Sequence, residues 1–243
     1  MDPHTIFITF ISLGVGGILK GATGVGAPLI AIPALALIFD VPTAIAIFSI
    51  PNLLTNALQA WRFWPHQRSR QLVWGFAISG VLGISIGTYF LAILSPDLLQ
   101  KSLAVVVLAF VTFKILNSTW FLRRNIANKV APIAGFCAGI LQGVSGLSAP
   151  ISISFLNSMK LERQEFIATI NVFFTVTALP QIILLIYFDI LTLTLSFWST
   201  LALIPVLTFM PVGQYLAKKW SNKTFERIII LLLLFISIRL LFY

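Results

Sequence analysis

Apolar runs of about 20 residues, each closed by a short polar or charged stretch, follow one another along the chain. The breaks fall at Arg62 to Arg70, Asp97, Arg123 to Lys129, Lys160 to Glu165, Asp189 and Lys218 to Lys223. A helix needs about 20 mainly apolar residues to cross a bilayer core, and the runs have that length. They are continuously apolar, not alternating, which argues against a transmembrane β-barrel and for an all-α integral membrane protein. Long spans are expected near Pro42–Trp61, Leu72–Leu94, Leu98–Phe121, Glu162–Tyr187, Thr192–Ala217 and Thr224–Phe242.

The pattern is duplicated. Gly17–Ile30 aligns on Gly139–Ser152 with half of the positions identical, Gly21, Gly24, Ala27 and Pro28 matching Gly143, Gly146, Ala149 and Pro150. The same register pairs Ala46 with Ala168, Ser49 with Asn171, Thr55 with Thr177 and Gln59 with Gln181. After a short slip, Gly87-Thr-Tyr89 meets Gly213-Gln-Tyr215, Ser95 meets Ser221 and Lys101 meets Arg227. Repetition on this scale marks a duplicated unit, with a first repeat at 1–124 and a second at 125–243.

Loop charge gives each repeat a direction. Short loops rich in Lys and Arg stay cytoplasmic. That places Arg62/Arg68/Arg70, Arg123/Arg124/Lys129 and Lys218/Lys219/Lys223 inside, and the loops at Asp97 and Asp189 outside. Repeat mates therefore lie on opposite sides, so the repeats are inverted, and both termini are expected outside. Inverted repeats place a solute near the bilayer midplane, at their interface. Each repeat has three long spans, so Thr5–Phe39 and Val130–Met159 must each enter and leave on one side. As helix, Thr5–Lys20 is only about 24 Å long and Pro28–Phe39 about 18 Å, against a core of about 30 Å. Broken or re-entrant hairpins are expected.

The hairpin turns carry the candidate chemistry. The first reads Gly21-Ala-Thr23-Gly24-Val-Gly26-Ala-Pro28 and the second Gly143-Val-Ser145-Gly146-Leu-Ser148-Ala-Pro150. Glycine admits positive φ and proline suits a first helical turn, so one helix should stop and another start there. A helix beginning at membrane depth turns free N–H groups and a partial positive charge toward a cavity, which suits an anion. Thr23, Ser145 and Ser148 add hydroxyls. Lys20 stands beside the first turn and Gln142 in the matching place. Small residues that merely let helices pack closely would look similar. After each hairpin comes a polar stripe. Ser49, Asn52, Asn56 and Gln59 share a helix face, and Asn171, Thr175 and Gln181 echo it. Interhelical hydrogen bonding competes with solute contact for each of these. Pro51 and Pro180 loosen the same spans.

Composition narrows the reading further. The sequence is 58% hydrophobic and 9% charged, far from the roughly 25% charge of a soluble domain. The net charge of +9 sits in loops and forms no basic domain, so nucleic acid is not an expected partner. Cys137 is the one cysteine, lies inside an apolar run and is expected to act as a small packing residue. The segment before Lys20 has no basic start and no small-residue cleavage site, and its mate lies mid-chain, so it reads as part of the mature protein rather than a signal. No phosphate loop, HExxH or Ser/His/Asp arrangement is present, so neither an enzyme, a metal nor a cofactor is expected.

The segment Gly16–Pro33, its second copy and the Ala/Ser-containing helix after each resemble the TauE/SafE permeases over essentially the whole chain. The resemblance implies a multi-pass bacterial or archaeal inner-membrane protein that exports small sulfur-containing anions such as sulfite or organosulfonates. Its first turn has Gly26-Ala27 and its second Ser148-Ala149 where the family commonly ends in Gly-Gly, which fills the cavity differently. The expected partners are a small anion and membrane lipids, with a homodimer as a candidate assembly. Two other readings share these features: an anion channel with the same midplane site, and a membrane assembly subunit that transports nothing.

Overall fold

A computed structural model describes residues 3–116, 121–219 and 222–242. Ser221, the partner of Ser95 in the repeat, and the stretch 117–120 in the third expected span lie outside the described residues. Ten α-helices account for nearly all the rest: α1 (Pro3–Thr23), α2 (Ala27–Ala36), α3 (Val41–Phe63), α4 (Arg70–Ile93), α5 (Pro96–Leu116), α6 (Arg124–Ser145), α7 (Ala149–Ser158), α8 (Arg163–Tyr187), α9 (Leu193–Lys219) and α10 (Asn222–Phe242). No strand occurs among the described residues. Six of these helices, α1, α3, α4, α5, α8 and α9, are long and apolar enough to cross a membrane. Side chains such as Phe7, Leu82, Ile183 and Leu193 stand exposed on their outer faces, a surface that lipid satisfies and water does not.

Local chemistry sets the boundaries. Asp40 caps α3 by accepting from the Thr43 N–H at 2.7 Å, and Ser69 caps α4 by accepting from Leu72 at 3.3 Å. Such caps satisfy N–H groups that a helix start leaves unpaired. Between α1 and α2 the chain reverses through Gly24 at φ 80° and Gly26 at φ 92°, and between α6 and α7 through Gly146 at φ 73°. Residues with a Cβ avoid that region. Pro28 and Pro150 fall in the first turns of α2 and α7, as expected.

The first helix of each hairpin is longer than the sequence suggested. At 21 residues α1 reaches about 31 Å, a full span by length rather than the 16-residue helix read over Thr5–Lys20. Its partner α2 has 10 residues and is buried almost throughout. The hairpin is thus one long arm and one short, interior arm. Gly14, Gly16, Gly17 and Gly21 did not end α1, because tertiary packing overrides weak helix propensity.

Helix lengths repeat in order, 21, 10, 23, 24 and 21 residues for α1 to α5 and 22, 10, 25, 27 and 21 for α6 to α10. Packing crosses between these sets: α1 lies along α9, α4 along α6, α3 along α8 and α5 along α10. Glycine makes the first two contacts very close. A Cβ at Gly21 would stand 1.9 Å from the Met210 carbonyl oxygen, at Gly83 2.1 Å from that of Phe136, and at Gly135 2.0 Å from that of Phe76. Phe76 stacks on Phe173 with ring centroids 4.4 Å apart and on Phe155 at 5.4 Å, tying α4, α8 and α7 into one apolar core.

Candidate functional site

Lys20, in the last turns of α1, is 1% exposed. Its Nζ donates to Asn56 Oδ1 of α3 at 2.6 Å and to Asn171 Oδ1 of α8 at 3.3 Å. Each amide is held so that its oxygen faces the lysine. Asn56 Nδ2 donates to the Asn52 carbonyl at 2.6 Å and to Asn52 Oδ1 at 2.7 Å. Asn171 Nδ2 donates to the Ile167 carbonyl at 2.7 Å and to that of Gly24 at 3.1 Å. The positive φ of Gly24 therefore turns its carbonyl to a side chain that in turn holds Lys20. Sitting near the C-terminal end of α1 also favours a positive group, through the helix dipole.

Among the described residues the ion pairs join Arg68 to Glu162 at 2.8 Å, Lys101 to Asp97 at 2.8 Å, and Arg124 to the buried Glu165. None reaches Lys20. The lysine has neutral partners only, although burying an ammonium without a counter-charge costs several kcal/mol.

Just beyond this network lies a cavity of about 590 Å³, bounded by α3, α8, α9 and the tip of the first hairpin. Gly21 and Gly24 form part of its wall, the first next to Lys20 in sequence and the second hydrogen-bonded to Asn171. Arg62, Arg163 and Lys218 line it, and among the described residues no carboxylate does. Arg163 also donates from Nη2 to the Ala22 carbonyl at 3.1 Å, tying the start of α8 to the end of α1. Gln59 borders the cavity, is 7% exposed, and its Oε1 has no hydrogen-bond partner among the described residues.

The remaining residues singled out in the sequence take several places. Thr23 and Ser145 do the same local work. Each hydroxyl donates to the carbonyl four residues back, Leu19 at 2.9 Å and Leu141 at 2.7 Å, and accepts from the N–H two residues on. Ser148 Oγ lies 3.1 Å from Ser152 Oγ, within the second hairpin. Gly26 opens α2 and, with Thr23, faces a smaller and mainly apolar cavity of about 250 Å³. Gly143 packs against the α4 backbone, its Cβ position 2.6 Å from the Ile84 carbonyl oxygen. Ser49 donates to the Ala46 carbonyl at 2.8 Å and takes no part in the lysine network. Gln142 and Gln181 are buried, at 2% and 4% exposure, and each keeps one amide atom unpartnered among the described residues. Asn171, Asn52, Gly24 and Lys20 are thus brought together, with Gln59, Gly21 and Gly24 at the adjoining cavity.

Asn56 appeared in the sequence as one of a polar stripe and proves to be the nearest partner of Lys20. Arg62, Arg163 and Lys218 read there only as loop charge or span ends. No local signal marks Arg163, since its contact lies 141 residues away in the chain. No group of His, Cys, Asp or Glu suited to a metal ion occurs among the described residues.

A family model described as sulfite exporter TauE/SafE matches residues 8–240. Searches of curated proteins and of solved structures returned no match.

Proposed function

Since the chain belongs to the sulfite exporter TauE/SafE family of membrane transporters, we propose that it exports a small sulfur-containing anion, of the sulfite or organosulfonate class, by alternating access around Lys20. The observation that carries this reading is the buried Lys20 amine, held by two oriented amide oxygens and no carboxylate. An anion arriving there pairs with the ammonium and supplies the counter-charge that the protein withholds.

In this reading residues 1–124 and 125–243 are inverted repeats, and the site lies between them. The matched helix lengths support it, as does the reciprocal packing: α1 on α9 mirrors α6 on α4, and α3 on α9 mirrors α8 on α4. Lys20 and Asn56 come from one repeat and Asn171 from the other. The loop charges make the Arg62 and Lys218 side cytoplasmic, so the large cavity is the loading face of an inward-open state. Gln142 and Gln181, buried with unpartnered amide atoms, are the polar groups of the opposite exit. Gly26, Ser148 and Pro150 shape the hairpin turns that close on the solute.

The deciding experiment is uptake of radiolabelled sulfite into proteoliposomes containing the purified protein. Saturable flux is expected from the native protein, and a loss of at least about 100-fold, close to 3 kcal/mol of barrier, from a folded Lys20→Met variant. Equal flux from the two would sink the assignment of Lys20, and no flux of any sulfur oxyanion would sink the transport reading.

A further inference from the structure

We infer that the basic cavity is a second anion-binding site, separate from Lys20, in which Arg163 receives the solute and Gln59 guides it inward. This inference rests on the transport reading and extends it from one site to two in sequence. Three cations, Arg62, Arg163 and Lys218, face a space of about 590 Å³ from three different helices, and among the described residues no carboxylate shares the lining. Charge at a loop needs no such convergence. The neighbouring carboxylates are spent elsewhere, Glu162 on Arg68 and Glu165 on Arg124. Walls of one sign and low polarity concentrate a counter-ion.

The second indication is Gln59. It is more than nine-tenths buried, borders this space, and leaves a polar amide atom unpartnered among the described residues. Buried amide atoms are nearly always hydrogen-bonded; the orphan here is Oε1, an acceptor, so it marks the place of a water or of a singly protonated oxyanion's O–H rather than of an ionised oxygen. Gln59 stands one helical turn from Asn56, which holds Lys20. A solute leaving the cations thus meets Gln59 before it meets the lysine. Arg163 adds a link to the fold, because its Nη2 donates to the Ala22 carbonyl at the end of α1. An anion that draws on Arg163 competes with this bond, so loading loosens the hairpin that carries Lys20.

The ligand is a small monovalent or divalent sulfur oxyanion or short alkylsulfonate; the apolar Leu207, Met210 and Ile167 around the cations have room for an organic body. The test is equilibrium binding of radiolabelled sulfite and of ethanesulfonate to the purified full-length protein at low and high salt. Two sites are expected in the native protein. Lys20→Met retains the outer one, weak and salt-sensitive because its cations are exposed. Arg163→Gln weakens that site by at least about tenfold, Arg163→Lys restores most of it, and Arg70→Gln, outside the cavity, leaves both sites intact. Should Arg163→Gln fail to fold, Lys218→Gln, at the exposed end of α9, serves with the same expectation. Binding by the native protein that vanishes altogether in Lys20→Met overturns the two-site inference and leaves the transport reading standing. Native binding in Arg163→Gln or Lys218→Gln does the same. Failure of the native protein to bind either probe overturns both.

Discussion

Asn171 holds Lys20 and Gly24 at once: its Oδ1 accepts from the lysine at 3.3 Å while its Nδ2 donates to the glycine carbonyl at 3.1 Å. One amide therefore joins α8 to both the last turns of α1 and the turn that follows them. Replacing it separates the charge of the site from its shape. Asn171→Asp puts a carboxylate beside the lysine, giving it an internal counter-ion. Its second oxygen also faces the Gly24 and Ile167 carbonyls that Nδ2 served, so the thermal midpoint is expected to fall, though less than in Asn171→Leu because the new ion pair offsets part of the loss, and sulfite binding to weaken at least about tenfold. Asn171→Leu instead strips one acceptor from Lys20 and one donor from Gly24, and should cost about 1–3 kcal/mol of stability. Thermal melts and sulfite titrations of the two variants check the contrast. Tight sulfite binding by Asn171→Asp would show that Lys20 is not where the anion sits.

Close helix contact makes a second prediction. Alanine at Gly21 or Gly83 drives a methyl into a backbone carbonyl at 1.9 or 2.1 Å, which cannot be relieved by rotating a side chain. Overpacking of this kind costs about 1–3 kcal/mol. Gly75 is the internal control, since its nearest neighbours are Pro132 ring atoms at 3.7 Å or beyond. Gly75→Ala should be neutral or mildly stabilising through helix propensity. Melting curves in detergent rank the three, and an order with Gly75→Ala lowest would contradict the packing.

The pair between Arg124 and Glu165 ties the start of α6 to α8. Glu165 is 3% exposed, so removing its partner leaves a buried carboxylate, while Arg124 is about half-exposed and would simply be solvated. Arg124→Gln should therefore destabilise by more than the double change Arg124→Gln with Glu165→Gln, by about 1–2 kcal/mol. A double-mutant cycle on the melting midpoints measures the difference.

Orientation is checked without purification. Epitope tags at the two termini should be reached by antibody on intact spheroplasts, and tags in the loops near Arg68 and Arg123 only after permeabilisation. A protected N-terminal tag beside an exposed loop at Arg68 would reverse the inside–outside assignment and move the large cavity to the outer face.

What could be read in the sequence was local or periodic. The turns at Gly24 and Gly146 were legible because positive φ and a proline in the next turn are properties of a few adjacent residues. Five of the six expected long spans, at α3, α4, α5, α8 and α9, were legible because lipid imposes length and continuous apolarity; the one expected at α10 is not among the described helices long and apolar enough to cross. The reach of α1 was not: Gly17 and Gly21 look like helix breakers until the backbone of α9 is laid against them. The hydroxyls of Thr23 and Ser145 looked like ligand donors, and geometry alone reveals that each braces its own turn. Asn56 stood visibly on a polar face, but its pairing with Lys20 depends on how α1 meets α3. Arg163 was invisible for the same reason, its meaning lying in a carbonyl on a distant helix.

The glycine seams have a mechanical consequence. With α1 laid on α9 and α6 on α4, backbone against backbone, the two stretches of sequence are laced through each other and neither is a separable part. Any piece of the molecule that tilts must take strands of the lacing from both stretches along with it. A chain severed near Leu122 would accordingly yield two fragments that each lack the surface they were shaped against, inert apart and competent only when they meet in the same bilayer.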